Sequence, residues 1–181
     1  MLATLADLKT YLGFTDNSED AVLTVFLNRA IAQAKSIIGR DIEKPGANYV
    51  EELDGHGENV IHVRNYPIIS VASVEYFGGI DWIPFDPALY SVKKQTGQIR
   101  FPYSQVPRGF GNIRVTYLGG YDPVPADLSE AVVRIAASVY NRRNSDGIKR
   151  EKIEGAEIEY SSEAVPQDAI DVIESYRSID V

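Results

Sequence analysis

Leu5, Leu8 and Leu12 recur at helical spacing and Gly13 follows as a stop, so the chain opens with a short predicted helix. A stronger pattern begins behind Asn17-Ser18-Glu19-Asp20. Small polar side chains there can cap free backbone N–H groups, and the acids suit the positive end of a helix dipole. Leu23, Phe26, Leu27, Ala30, Ile31, Ala34, Ile37 and Ile38 then recur every three or four residues as one apolar stripe. Asn28, Lys35 and Ser36 fall largely off that stripe, and Gly39 can close the helix in a left-handed conformation.

After Lys44-Pro45-Gly46 the period changes to that of strands, and it stays so over residues 49–118. Residues 49–53 and 60–63 read as two short paired strands joined by the loop Asp54-Gly55-His56-Gly57-Glu58-Asn59. In the next strand Val71, Ser73, Glu75 and Phe77 fall on one face, and Ala72, Val74 and Tyr76 on the other. Gly78-Gly79 predicts a two-residue turn, with residues 80–85 running back. Residues 89–92 and 98–101 flank Thr96-Gly97 as a further hairpin. A loop rich in Pro, Gly and aromatics covers residues 102–111, and Ile113, Val115 and Tyr117 then face one way along a last strand ended by Gly119-Gly120.

Asp122-Pro123-Val124-Pro125 blocks any strand and leads into a second strong helix, with Leu128, Ala131, Val132, Ile135, Ala136, Val139 and Tyr140 as its stripe. Arg142 and Arg143 complement the dipole in its last turn, and Asn144-Ser145-Asp146-Gly147 ends it. Residues 153–160 form an extended piece or a weak hairpin. Pro166-Gln167-Asp168 opens a final helix with Ala169, Ile170, Ile173 and Tyr176 on its apolar face. The order predicts an α+β fold, a helical core from both ends of the chain with an inserted antiparallel block of about six strands. It reads as one domain over residues 1–181, with the β insertion at 49–118 and a C-terminal arm at 148–181.

Composition narrows the chemistry. Apolar residues make up 44% and charged residues 24%, which is globular usage and excludes disorder. The formal net charge of −8 repels a phosphate backbone, so tight static DNA binding is not expected, though DNA can pass nearby. With no cysteine, disulfides and thiolate metal sites are excluded. The N-terminus has neither a basic region nor a long apolar run, so a protein made and folded in a cytoplasm is expected. No stretch is read as reaching the roughly 18 apolar residues of a membrane span, and no membrane partner is expected.

The candidate catalytic groups do not converge. His56, between Asp54 and Glu58, with His62 across the predicted hairpin, offers at most a weak cation site, against a reading as a solvated turn and an outward strand residue. Glu51 and Glu52 point to opposite faces of one strand and cannot act together as acid and base. Gly55-His56-Gly57 and Gly109-Phe110-Gly111 lack the third glycine and following helix of a phosphate-binding turn. A nucleophilic triad has too few histidines. Trp82, Tyr103 and Phe110 could stack on a sugar in a carbohydrate-binding or hydrolytic protein, but strand and loop packing explains them as well. No enzyme activity, cofactor or metal is expected.

Interaction surfaces are better represented. Arg142, Arg143, Lys149, Arg150 and Lys152 reverse the acidic balance locally. They could dock an acidic partner, touch DNA in a channel, or compensate a dipole and solvate a linker. The tail helix with Ile170, Ile173 and Tyr176, behind Tyr160, either packs on its own domain or docks on a neighbour.

The motifs in order carry a resemblance. Residues 19–40 end in Ile37-Ile38-Gly39-Arg40, and Leu53-Asp54-Gly55 and Tyr66-Pro67-Ile68-Ile69-Ser70-Val71-Ala72-Ser73-Val74 follow. Then come Gly97-Gln98-Ile99-Arg100-Phe101, Val115-Thr116-Tyr117-Leu118-Gly119-Gly120-Tyr121, Val124-Pro125-Ala126-Asp127-Leu128, Tyr140-Asn141-Arg142-Arg143 and Lys152-Ile153-Glu154-Gly155. Over residues 5–178 the chain resembles the head-tail connector, or head-completion adaptor, family of long-tailed bacteriophages. The resemblance implies a structural virion protein at the neck. Such a protein forms a ring, usually dodecameric, beneath the portal protein, extends the DNA channel and presents a platform for a stopper or tail. A stopper or tail-completion protein is the alternative within the same neck. The resemblance implies the ring itself, the portal and the next neck protein as partners, with transient passage of DNA.

Overall fold

The computed structural model describes residues 1–143, 150–153, 156–159 and 165–178, the two central stretches through their backbone pairing. The chain divides into two compact units. One joins Met1–Gly39 to Val124–Arg177, and the other is built on Arg40–Pro123. The mixed α+β class read from the sequence is what the chain adopts.

The helical unit holds α1 (Leu5–Leu12), α2 (Asp20–Ile38), α3 (Ala126–Arg142) and α4 (Gln167–Glu174). Thr4 closes the start of α1 reciprocally. Its hydroxyl accepts from the Asp7 N–H at 3.2 Å while the Asp7 carboxylate accepts from the Thr4 N–H at 3.0 Å. The start of α2 differs from expectation. Glu19 at the cap position makes no side-chain cap bond. The polar run instead ties α1 to α2, through Lys9 Nζ at 2.7 Å from both Asn17 Oδ1 and Asp20 Oδ1. Leu23, Leu27, Ala30, Ala34 and Ile38 of α2 are buried, as are Leu128, Ala131, Val132, Ile135, Ala136 and Tyr140 of α3. These two helices pack on each other, and α4 packs on both. Tyr140 sits edge-on to Phe14 and to Phe26, each at 5.9 Å between ring centroids. One expectation needs correcting here. By length and composition α2 is apolar enough to cross a membrane. Its buried face lies against α3, which is what a core helix of a globular unit does with such a stripe.

The β unit has two antiparallel sheets. The larger is ordered β1 (Tyr49–Gly55), β7 (Gly109–Gly119), β3 (Ile68–Phe77), β4 (Trp82–Pro84), and the smaller β2 (Val60–His62), β6 (Gln98–Arg100), β5 (Ser91–Lys93). Their inner faces share one core of Ile61, Val63, Ile99 and Phe101 with Ile68, Val74, Ile113, Val115 and Tyr117. Ile113, Val115 and Tyr117 face inward together, as their alternation predicts.

Three strand expectations are corrected. Residues 49–53 and 60–63 do not pair with each other: β1 pairs with β7, and β2 with β6. Asp54 Oδ1 accepts from the Gly111 N–H at 2.6 Å and Asn112 Oδ1 from the Gly55 N–H at 2.8 Å, which fastens β1 to β7. Along β3, register shifts between Ile68 and Ser70 and between Val71 and Ser73 break the simple alternation. Val71 and Val74 therefore both pack on the core, and Ala72 is exposed. The turn after β3 spans four residues, with Phe77 opposite Trp82 and the Gly78 N–H bonded to the Asp81 carbonyl at 2.9 Å.

Where the chain enters and leaves this unit, its two ends run side by side. The Tyr121 N–H bonds the Ile42 carbonyl at 2.8 Å, and the Lys44 N–H bonds the Tyr121 carbonyl at 3.2 Å. Gly120 is required there: its φ is 109°, and a Cβ would stand 2.7 Å from the Glu43 backbone.

Candidate interaction surfaces

The carboxylates and histidines singled out from the sequence are held in structural roles or kept apart. Glu51 is half-buried, and its Oε2 accepts from the Tyr117 hydroxyl at 2.8 Å and from the Arg64 N–H at 3.1 Å. Glu52 faces outward and pairs with Arg114 at 2.8 Å. The guanidinium of Arg114 also lies over the Trp82 ring, 3.9 Å from its centroid, while Phe77 packs beside that ring at 5.5 Å. Trp82 is thus already stacked. His62 does not stand across a hairpin from His56, because β1 and β2 belong to different sheets. Among the described residues no group of three or more His, Asp or Glu could hold a metal.

The predicted partner residues fall into distinct settings. Arg143 folds back over its own helix end. Its guanidinium lies 3.7 Å from the Tyr140 ring centroid, and it donates to the Tyr140 carbonyl at 3.0 Å. Arg142 beside it is half-buried. Ile173 is fully buried within the helical unit, and Ile170 is half-buried. The Tyr176 hydroxyl donates to the Asp127 carboxylate, 2.8 and 2.9 Å from its two oxygens. Arg134 pairs with Asp168 at 2.5 Å, and that bond holds the Asp168 carboxyl below its ordinary range. So α4 spends its apolar face on α3 and α2. Arg150 and Lys152 lie on β8 (Arg150–Ile153), in register with Glu159 and Glu157 of β9 (Ala156–Glu159). Lys149 and Tyr160 lie outside the described residues.

With this arrangement in view, the family comparison is decisive. The model of the head completion protein family matches residues 1–179. The chain belongs to the head completion protein family. No curated protein matches its sequence. Solved structures do match. A chain of "Neck of empty GTA particle computed with C6 symmetry" superposes with a TM-score of 0.64 at 18% identity, covering 99% of this chain and 91% of that one. A chain of "Virion of native gene transfer agent (GTA) particle" gives 0.63 at 19%, with the same coverage. A chain of "Neck of native GTA particle computed with C12 symmetry" gives 0.61 at 18%, covering 98% and 89%. At such identities the likeness establishes a shared fold.

A head completion protein works through contacts, and the surface most open to contact went partly unread in the sequence. Ile80, Tyr103 and Phe110 are 88%, 91% and 94% exposed. The strand register places the turn with Ile80 and the start of β7 with Phe110 at one end of the β unit, away from Ile42 and Tyr121. A signal was present. Phe110 stands between two glycines, Ile80 follows Gly79, and Tyr103 follows Pro102, so none sits in a run that could carry it into the core.

Proposed function

We propose that the chain is a head-tail adaptor, a structural subunit that forms a closed ring in the virion neck. The ring is dodecameric, sits beneath the portal protein, extends the DNA channel and offers a platform to the stopper or tail. The observation that carries this reading is the whole-length family match, joined to a fold shared over nearly the full chain with neck chains of a particle solved with C12 symmetry. The whole of residues 1–181 serves as one connector subunit in this reading, with residues 148–181 as its arm. The settings of α4 and Arg143 refine the contact surface. Ile170, Ile173 and Tyr176 fix the arm to its own subunit, and Arg143 is engaged by Tyr140 of its own helix. Arg142, Lys149, Arg150, Lys152 and Tyr160 are the residues offered to neighbours. A net charge of −8 suits a wall past which DNA slides without sticking.

Electron cryomicroscopy of particles carrying a tagged copy tests the reading. A twelvefold ring of density directly below the portal is expected, and particles lacking the protein should hold full heads without tails. Density one layer lower would assign the chain to the stopper or tail-completion position instead. Normal tail joining without the protein would overturn the adaptor role.

A further inference from the structure

The outer face of the smaller sheet carries an open cleft of about 550 Å³, walled by Asn59, His62, Ser91, Lys93, Gln98 and Arg100 among others. Register explains its make-up. Val60, Arg100 and Ser91 lie side by side across the three strands, as do His62, Gln98 and Lys93. The row between them, Ile61, Ile99 and Val92, is turned to the core. Alternation therefore places both polar rows outside. No carboxylate lines the cleft, and Lys93 and Arg100 are exposed. Among the described residues no ion pair engages either of them. On a chain of net charge −8, this is a local patch of positive charge, with amide and hydroxyl groups beside the cations, of the kind that carboxylates pair with.

The same chain carries a matching anion. Residues 154–163 hold glutamates at 154, 157, 159 and 163 and no lysine or arginine. Within them β9 is extended, so Glu157 and Glu159 are spaced two residues apart along a strand. Arg100 and the Gln98–Lys93 row are also two residues apart along β6, about 6.8 Å on an extended backbone. We propose that the cleft receives the acidic segment 154–163 of a second copy of the chain. Two different patches that recognise each other between copies make a head-to-tail contact, the kind that closes into a ring, and in this the inference rests on the ring reading. A nucleic acid fits the cleft less well. Duplex affinity grows with the number of phosphates neutralised, and two strand rows on an acidic chain neutralise few.

The test is binding of a fluorescent synthetic peptide of residues 152–165 to the full chain, read by anisotropy at low and moderate salt. Saturable, salt-sensitive binding is expected, weakened about tenfold or more by K93E/R100E. A peptide carrying E157K/E159K should then prefer the K93E/R100E chain over the wild type, which a merely structural effect would not produce. Circular dichroism checks that the variants fold, and K93Q/R100Q supplies a milder pair if the reversal does not. Absence of peptide binding, or binding that ignores both cleft variants, overturns the proposal. Tight binding only to a chain with E154Q/E157Q/E159Q/E163Q would show that each copy fills its own cleft, and overturns the second-copy assignment. A single-stranded oligonucleotide that binds at the cleft where the peptide does not would make it a phosphate surface and also overturns it. Failure on any of these arms leaves the ring reading standing, since particle images decide that separately.

Discussion

Tyr117 shows what a single residue contributes to the β unit. Its ring is fully buried, and its hydroxyl accepts from the Asn65 N–H at 3.1 Å while donating to Glu51. Burial, with the Glu51 carboxylate beside it, drives the phenol pKa far upward, so the group stays a neutral donor. Tyr117→Phe keeps the packing but leaves a buried N–H without its acceptor. A loss of about 1–3 kcal/mol is expected, measured by urea unfolding. That Tyr117 faces the core was legible, because Ile113 and Val115 share its parity. Its partners were not, since Asn65 and Glu51 lie more than fifty residues away in the chain. Arg40 makes the same point. It is buried, and it stacks on Tyr66 at 3.8 Å while donating to the Tyr66 carbonyl, a partnership that no local pattern announces.

Among the elements, α4 yields the sharpest expectations. Ile173→Ala removes a fully buried side chain from its seat in the helical unit and should cost about 2–5 kcal/mol, read as a lower thermal midpoint. The Arg134 bond keeps the folded-state pKa of Asp168 below the ordinary aspartate value of about 3.9. The pair's contribution is therefore complete above that value and is lost as the pH falls through the lowered one, while Arg134 stays charged. Protection of the α4 amides, taken relative to their intrinsic exchange rates at each pH, should hold steady from neutral pH down to about 5 and fall below about 4, and Asp168→Asn should remove that pH step. Helices of this kind are written into the sequence because their period is local. Strands were legible as strands, yet the partner of β1 was not, because β7 lies more than fifty residues further along the chain and the Asp54 and Asn112 bonds that accompany the pairing are non-local. The shifts in β3 were equally hidden, since they are a property of two strands together. The interaction surfaces followed the same division. The basic residues near 142–152 stand out in sequence, whereas the cleft of Lys93 and Arg100 exists only once three strands are aligned.

At the scale of the whole molecule, the helical unit is made from both ends of the chain and the β unit from its middle. An excised Arg40–Pro123 segment keeps its two sheets, its core and the Tyr121 bonds to Ile42 and Lys44. It is expected to unfold cooperatively on its own, with a denaturant midpoint that Tyr117→Phe lowers. The family and its structural role were legible because they reside in the order of motifs along the chain, which survives where single contacts do not. The closed seam at Ile42 and Tyr121 has a further consequence for descent. A stretch whose start and finish are laced together can be lengthened, shortened or traded between genomes as a cassette, because among the described residues each strand of residues 49–119 pairs only with another strand of that stretch. Relatives that keep the same helical frame should therefore differ most in what they carry between those two points.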